Sequence, residues 1–392
     1  MVMEGIFGEA VDKIGGQPIA ARMARKAPIR HLDPILLLLT LALVSYGALM
    51  VYSATVHKQL EADLDPGFFL KRQLISLAVG LVVLTALTFF DYRWIKGVAP
   101  MIYGGTVLAL VLVLTPLGHV QAGARRWINI GAYQLQPSEL AKIALILTLS
   151  AFLASKRGEI GLVDVVIAIA MVLVPGALIY LEPDLGTMIV FVVIGAALLF
   201  MAGTKIRHLV ALAALGMAAV AFIFQAGLLK DYQLDRLTVF LDPNPDVQSV
   251  GYNVTQSKIT IGSGGMTGKG LEGKNTQTSL DFVPEQHTDF IFTAVGEQLG
   301  FLGSATLLAL LAFLIWRALR IAAMARDMYG TLVASGIAAF WAFQVFVNIG
   351  MTMGIMPITG VPLPFISYGG SSLITNFIAV GLLLNIHMRR YV

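Results

Sequence analysis

Phe282-Val-Pro-Glu-Gln-His-Thr-Asp-Phe290 marks the sharpest change of character in this chain. Before it, roughly from 230 to 288, runs the only long polar interval between hydrophobic segments. After it, an apolar run begins at Phe290 and continues to Leu314. Asp289 therefore stands where an aqueous loop becomes a membrane helix. Charge is poorly tolerated near hydrocarbon, so an acid kept at that point suggests a use, and Asp289 is read as the residue that does the chemistry. The plain alternative is an acid in the first turn of a helix, where the macrodipole stabilises it.

The composition around this junction fits a membrane. Of 392 residues, 57% are hydrophobic and 13% charged, against about 25% charge in ordinary soluble domains. Mean hydropathy is +0.80. Cysteine is absent, which removes disulfides, thiolate nucleophiles and Cys-based metal sites. The net charge of +4 says little about partners, and no nucleic acid is among those expected. Residues 1–33 mix acids and bases without an apolar core behind a short basic start. They read as a cytoplasmic tail rather than a cleavable signal peptide.

Ten windows are apolar enough to span a bilayer as helices, which takes about 20 residues each: 34–54, 73–90, 98–116, 138–154, 162–181, 186–202, 207–229, 289–315, 329–352 and 365–387. The fold class expected is an all-α membrane bundle over 34–392, with one long loop at 230–288 between spans seven and eight. Basic residues orient it. Arg93 and Lys96, Lys156 and Arg157, Lys205 and Arg207, and Arg317, Arg320 and Arg326 fall on one side, with Arg389 and Arg390 in the tail. The short connections at 182–186 and 353–364 hold no Lys or Arg. By the positive-inside rule the basic side and both termini are cytoplasmic, and the long loop is outside.

That loop does not have a disordered composition. Leu237, Val239, Phe240 and Leu241, then Val247, Val250 and Val254 at helical spacing, predict a helix on the membrane surface folded over the mouth of the bundle. The run after it, to Arg320, would reach about 46 Å as one straight helix. It is therefore expected to project beyond the bilayer or to bend near Gly300 and Gly303.

Five further stretches carry candidate chemistry. Gly262-Ser-Gly-Gly-Met-Thr-Gly-Lys-Gly270 fails as a phosphate loop of the Walker type. It reads as a turn needing glycine's freedom, or as backbone N–H groups and Lys269 meeting an anion. In Gln136-Pro-Ser-Glu-Leu-Ala-Lys-Ile, Ser138 can cap a helix, with Glu139 and Lys142 on one face. These two form a neutralising ion pair, line the cavity with Lys142 toward a phosphate, or do both. In Gly123-Ala-Arg-Arg-Trp-Ile, Arg125 and Arg126 break the positive-inside pattern; they snorkel, or grip a pyrophosphate bidentately. Glu182-Pro-Asp-Leu-Gly-Thr makes a tight turn in which Asp184 serves as a turn or cap residue, or lines the cavity. Val361-Pro-Leu-Pro-Phe-Ile-Ser-Tyr-Gly-Gly, with Ser367, stops one helix and admits the next, and could line the same cavity. The six histidines show no ligand spacing.

Taken together, several segments resemble the SEDS family (shape, elongation, division and sporulation), and within it the elongation branch. These are Phe240-Leu-Asp-Pro, Tyr252-Asn with Gln256-Ser-Lys-Ile, Gly262-Ser-Gly-Gly with Gly268-Lys-Gly, Pro284-Glu-Gln-His-Thr-Asp-Phe-Ile-Phe, and Val361-Pro-Leu-Pro with Ser367-Tyr-Gly-Gly-Ser. The Arg126 and Glu139–Lys142 stretches match as well, and the likeness spans roughly 32–390. It implies ten membrane helices with a large fourth outer loop. The implied activity is peptidoglycan glycosyltransfer from lipid II, the disaccharide-pentapeptide on undecaprenyl pyrophosphate, at the outer face of the cytoplasmic (inner) membrane. The resemblance carries the family's catalytic aspartate onto Asp289 and its paired acid and base onto Glu139 and Lys142. It also implies a class B penicillin-binding protein and other elongation-machinery membrane proteins as partners.

The residues support one mechanism directly. Joining a β-1,4 bond from an α-linked pyrophosphate donor inverts the anomeric carbon and needs one base for the attacking hydroxyl, unlike the two carboxyls of glycoside hydrolysis. Asp289 is that base; cations must meet the departing charge, with Arg126, Lys142, and Lys258 or Lys269 from the loop as candidates. A divalent cation such as Mg or Mn could share that role, though no carboxylate cluster in the sequence specifies one, and no other cofactor is indicated. A lipid II flippase and a non-catalytic scaffold of the wall machinery are the competing readings.

Overall fold

The computed structural model describes residues 31–391, apart from 122–123, 132, 157, most of 228–249, 272–275, 281 and 284. Most of the expected tail, together with Leu237, Val239, Leu241 and Val247, lies outside the described residues. The helices are α1 (Pro34–Glu61), α2 (Phe68–Phe89), α3 (Tyr92–Leu114), α4 (Pro137–Ser155), α5 (Leu162–Leu181), α6 (Leu185–Met201), α7 (Ile206–Gln225), α8 (Val250–Ser263), α9 (Ile291–Met324), α10 (Met328–Thr352) and α11 (Gly370–Met388). Among the described residues nine are long and apolar enough to cross a membrane, and α6 is a shorter apolar helix of the same kind. Ten spans are thus present, as hydropathy predicts. The membrane bundle is all-α, with α8 in the long loop.

Local chemistry fixes the helix ends. The Asp33 carboxylate accepts from Ile35 and Leu36 N at 3.1 and 3.2 Å, with Pro34 in the first turn of α1. Asp91, Asp184 and Asp327 cap α3, α6 and α10 in the same way. The innermost helices are α4, α10 and α11, which bury most of their side chains. By contrast α7 buries none. The two described ends of the chain meet on one face, where the His387 ring nitrogen lies 3.0 Å from the His31 carbonyl.

One stretch expected as plain loop is folded. Residues 119–135 form an antiparallel meander, β1 (His119–Gln121), β2 (Ala124–Ile130) and β3 (Tyr133–Leu135), with Trp127 opposite His119 and Ile128 opposite Leu135. It links α3 to α4 on the face that carries the long loop.

The expected bend in the eighth span is at Gly300, whose φ of 64° and ψ of −160° break α9. A break inside a membrane helix must have its freed backbone groups satisfied, and the glycine-rich segment supplies the partners. Lys269 N and Gly270 N donate to the Glu297 and Gln298 carbonyls at 2.9 Å each. Phe301 N and Leu302 N donate to the Gly265 and Met266 carbonyls at 2.9 and 3.1 Å. A Cβ on Gly264 would stand 1.9 Å from the Gly296 oxygen, and one on Gly268 2.2 Å from the Gln298 oxygen. These glycines therefore allow a close backbone approach, and the segment is a strap laid across the break.

Candidate active site at the loop face

Asp289 occupies the turn immediately before α9 and is half-buried. Its backbone is held from α10: Asn348 Nδ2 donates to the Asp289 carbonyl at 2.9 Å and to the Val361 carbonyl at 2.8 Å. The carboxylate itself faces Gly360, where an added Cβ would lie 3.3 Å from Oδ2. Burial, helped by the Glu285 and Asp184 carboxylates, pushes Asp289 up to about 6, against the opposing pull of Arg126 and Arg236. A carboxyl poised there is ionised at neutral pH yet remains a better base than an exposed one.

Arg126 and Asp184 belong to the same neighbourhood. From β2, Arg126 Nε donates to the Glu182 carbonyl at 2.9 Å, and Nη2 donates to the Pro183 carbonyl. The guanidinium thereby pins the turn between α5 and α6 to the meander. Asp184 is buried and its Oδ1 accepts from Thr187 N at 3.1 Å, the capping role. Glu182 is fully buried, and neither carboxyl oxygen has a hydrogen-bond partner among the described residues. Burial first, and then the Asp184 charge, raise Glu182 to about 8 despite Arg126. It is therefore a neutral acid at pH 7.

The other candidates are placed differently. Glu139 and Lys142 are buried and paired at 2.5 Å, with Lys142 Nζ 5.1 Å from the Phe340 ring centre. Lys269 Nζ lies 2.9 Å from Glu297 Oε1, inside a knot where Glu297 also accepts from Gln277 N and from Thr278 N and Oγ1. The anion that Lys269 meets is thus one of the chain's own. Lys258 is exposed on α8, beside Gly354. Ser367 is buried and accepts from Leu363 N at 2.8 Å, closing the turn that precedes α11.

Helix register links the buried ion pair to the loop face. An added Cβ on Gly336 would lie 3.0 Å from Ile146 Cγ2, and Phe340 covers Lys142, so α4 and α10 run antiparallel side by side. One turn further along α10, Gln344 comes level with Glu139 and Ser138, and the next turn brings Asn348 to Asp289. Among the described residues, fully buried Gln344 has no hydrogen-bond partner for either amide atom, and Glu139 Oε2, Ser138 Oγ and Asn348 Oδ1 have none either. A row of unpaired polar atoms of this kind is the setting that buried water fills.

Two spaces flank these residues. A cavity of about 580 Å³ lies beside the Asp289 turn, walled by Phe69, Arg72, Trp127, Tyr133, His287 and Tyr368, with Glu285 and Thr288 at its edge. The His287 ring packs 4.7 Å from Phe69 and 5.6 Å from Tyr368. A second, almost wholly apolar space of about 1000 Å³ opens between α5, α6 and α7. Among the described residues no three His, Asp or Glu side chains stand close enough to hold a metal ion.

The sequence reading missed Glu182, Gln344 and Asn348. Glu182 was visible as the first acid of Glu-Pro-Asp at a helix junction. Nothing local marked Gln344 or Asn348.

The comparisons with known proteins cover nearly the whole molecule. The family profile described as "Cell cycle protein", for FtsW, RodA and SpoVE, matches residues 34–392. The chain is 41% identical over 361 residues to the peptidoglycan glycosyltransferase MrdB of Escherichia coli (strain K12), covering 92% of this chain and 94% of that protein. It is 39% identical over 362 residues to stage V sporulation protein E of Bacillus subtilis (strain 168), covering 90% and 96%. Among solved structures it resembles a chain of a peptidoglycan synthase complex that coordinates polymerization and crosslinking, with a TM-score of 0.78, 34% identity and coverage of 92% and 98%. It also resembles the rod shape determining protein RodA of Thermus thermophilus, with a TM-score of 0.68, 32% identity and coverage of 92% and 98%.

Proposed function

The chain belongs to the FtsW, RodA and SpoVE family of cell cycle proteins, and from that membership we propose that it is a peptidoglycan glycosyltransferase. Its substrate is lipid II, its product a β-1,4-linked glycan strand, and Asp289 is its general base. The observation that carries the assignment is the Asp289 carboxyl at the head of α9 on the loop face, its backbone held by Asn348 and its side chain facing Gly360. The acceptor hydroxyl gives its proton to Asp289 as its oxygen attacks the anomeric carbon of the donor. The C–O bond to the diphosphate breaks on the opposite side, and undecaprenyl pyrophosphate leaves as an anion without needing a protein acid. A positioned base contributes roughly 10²–10⁴-fold.

Arg126 and Lys258 are the cations assigned to the departing charge, because Lys142 and Lys269 already face Glu139 and Glu297. Arg126 also holds Asp184 and Glu182 in place, so that Asp184 acts on Asp289 through its charge. The aromatic cavity carrying Arg72 suits a phosphate-bearing saccharide. The apolar space against α7 suits a prenyl chain entering from the membrane.

The same reading places both termini and the basic connections in the cytoplasm, with the site on the outer side of the cytoplasmic membrane. A class B penicillin-binding protein is the partner proposed, in keeping with the synthase complex that one relative belongs to. The test uses purified protein, lipid II in detergent and a gel for glycan strands. Wild type makes polymer; Asp289→Ala makes none without melting lower. Lipid II flipping that survives Asp289→Ala, with no polymer from wild type, would sink the assignment in favour of a transporter.

A further inference from the structure

On the face opposite the site, where the two described ends of the chain meet, the bundle encloses a cavity of about 390 Å³. Its walls come from three places in the sequence: His31, Leu32 and Pro34 at the start of α1, Arg317, Arg320 and Met324 on α9, and His387, Arg390 and Tyr391 at the end of α11. Three arginines and two histidines converge there, and among the described lining residues there is no carboxylate.

The charge nearby does not cancel. Asp33 lies behind the wall, fully buried, with Oδ2 2.6 Å from Arg317 Nε and Oδ1 used to cap α1. That pair is neutral. Arg320 is exposed with its guanidinium 5.4 Å from the Trp316 ring, and Arg390 lies 4.7 Å from the Tyr391 ring. Rings hold a guanidinium in place without removing its charge. One further donor, Arg390 Nε, has no hydrogen-bond partner among the described residues. The His387 ring is turned to the His31 carbonyl, 3.0 Å from Nδ1, so its donor is already used within the protein. A ligand seated there meets guanidinium charge that the described residues do not cancel, and should therefore accept hydrogen bonds and carry negative charge.

We propose that this cavity is a binding site for a phosphate-bearing anion, supplied either by the headgroup of an anionic phospholipid in the adjoining leaflet or by free phosphate. Arginine forks match phosphate oxygens, and basic pockets between membrane helices suit lipid headgroups. Phe313 and Trp316, stacked at 5.2 Å and 41% and 46% exposed, lie on α9 just before the cavity residues. Tryptophan at that position marks headgroup depth, which places the cavity mouth at the level of lipid phosphates. The site is separate from the glycosyltransfer centre and stands whether or not that assignment holds.

The experiment is native mass spectrometry and thermal melting of the full-length protein in detergent, with dioleoylphosphatidylglycerol, dioleoylphosphatidylcholine or inorganic phosphate added. Wild type retains the anionic lipid in preference to the neutral one. Each of Arg320→Gln and Arg390→Gln weakens that retention about fivefold, and the double variant about 25-fold, from roughly 1 kcal/mol per basic residue. Arg320→Lys, which keeps the charge, retains most of it. Phosphate that competes with phosphatidylglycerol identifies a soluble anion as a second source; phosphate without effect identifies the headgroup. The proposal is overturned if wild type retains both lipids alike. It is equally overturned if the double variant, with unchanged melting, binds phosphatidylglycerol as wild type does.

Discussion

If Asp289 takes the acceptor proton, the rate of glycan synthesis should follow its ionisation. With the carboxyl at about 6, about one-tenth is ionised at pH 5, half at pH 6 and nine-tenths at pH 7. The rate should climb tenfold per pH unit below the midpoint and level off above it. Burial is the main cause of the raised value, with the Glu285 and Asp184 charges next. Two like charges 4 Å apart interact by roughly 1 kcal/mol when water screens them fully, and about 1.4 kcal/mol corresponds to one pH unit. Glu285→Gln and Asp184→Asn should therefore each lower the midpoint by about half a unit or slightly more. Asparagine at 184 can still cap α6, so the fold survives the second change. The double variant should titrate about one unit lower while burial keeps it above an exposed aspartate. At pH 5.5 it should run at roughly three-quarters of its own plateau, against one-quarter for wild type. The plateau itself should fall a few-fold, because a weaker base accepts the proton less readily. The assay is lipid II polymerisation in detergent between pH 4.5 and 8.5, each variant normalised to its plateau. A midpoint that stays or rises in the double variant would refute the reasoning, as would an acid limb that persists in Asp289→Ala.

Other outcomes follow from the same geometry. Glu182→Gln should leave polymerisation at pH 7 nearly unchanged, because the raised carboxyl is already neutral there; a large loss at pH 7 would mean that Glu182 works as an anion. Asp289→Asn should melt higher than wild type at pH 8 and equally at pH 3. The folded carboxyl titrates at about 6 against an ordinary 3.8, so its destabilising effect is absent below the lower value and complete above the higher. For a half-buried group the gain is about 1–2 kcal/mol, read from melting curves at the two pH values. Gly268→Ala places a Cβ 2.2 Å from the Gln298 oxygen at a φ of +82°, and should cost about 2–3 kcal/mol with faster proteolysis between 264 and 290. Asn348→Ala removes two hydrogen bonds to buried carbonyls; it should lower kcat more than it raises KM.

What could be read from the sequence was what is local. Ten spans show in hydropathy because each must bury or shed about 20 residues' worth of backbone into lipid on its own. The bend at Gly300 shows because only glycine takes its positive φ easily. Asp289 shows because it sits at the seam between loop and helix. The meander at 119–135 did not show, since its strands have only three and seven residues. The purpose of the glycines at 264–270 did not show either: the backbone they approach, 296–302, comes after the long loop. Lys269 looked like a ligand for phosphate until Glu297, 28 residues later, came to meet it. Gln344 is one more amide in an apolar helix until α4 is laid alongside it.

The strap across Gly300 has a consequence for how the base is aimed. Residues 291–299, with Asp289 at their head, form a short post separated from the rest of α9 and tied by two main-chain hydrogen bonds to that strap, which makes two more with the helix beyond the break. Tilting that post means peeling the strap. The direction in which the carboxylate points is thus set from behind, by glycines and an acid that need never contact a sugar.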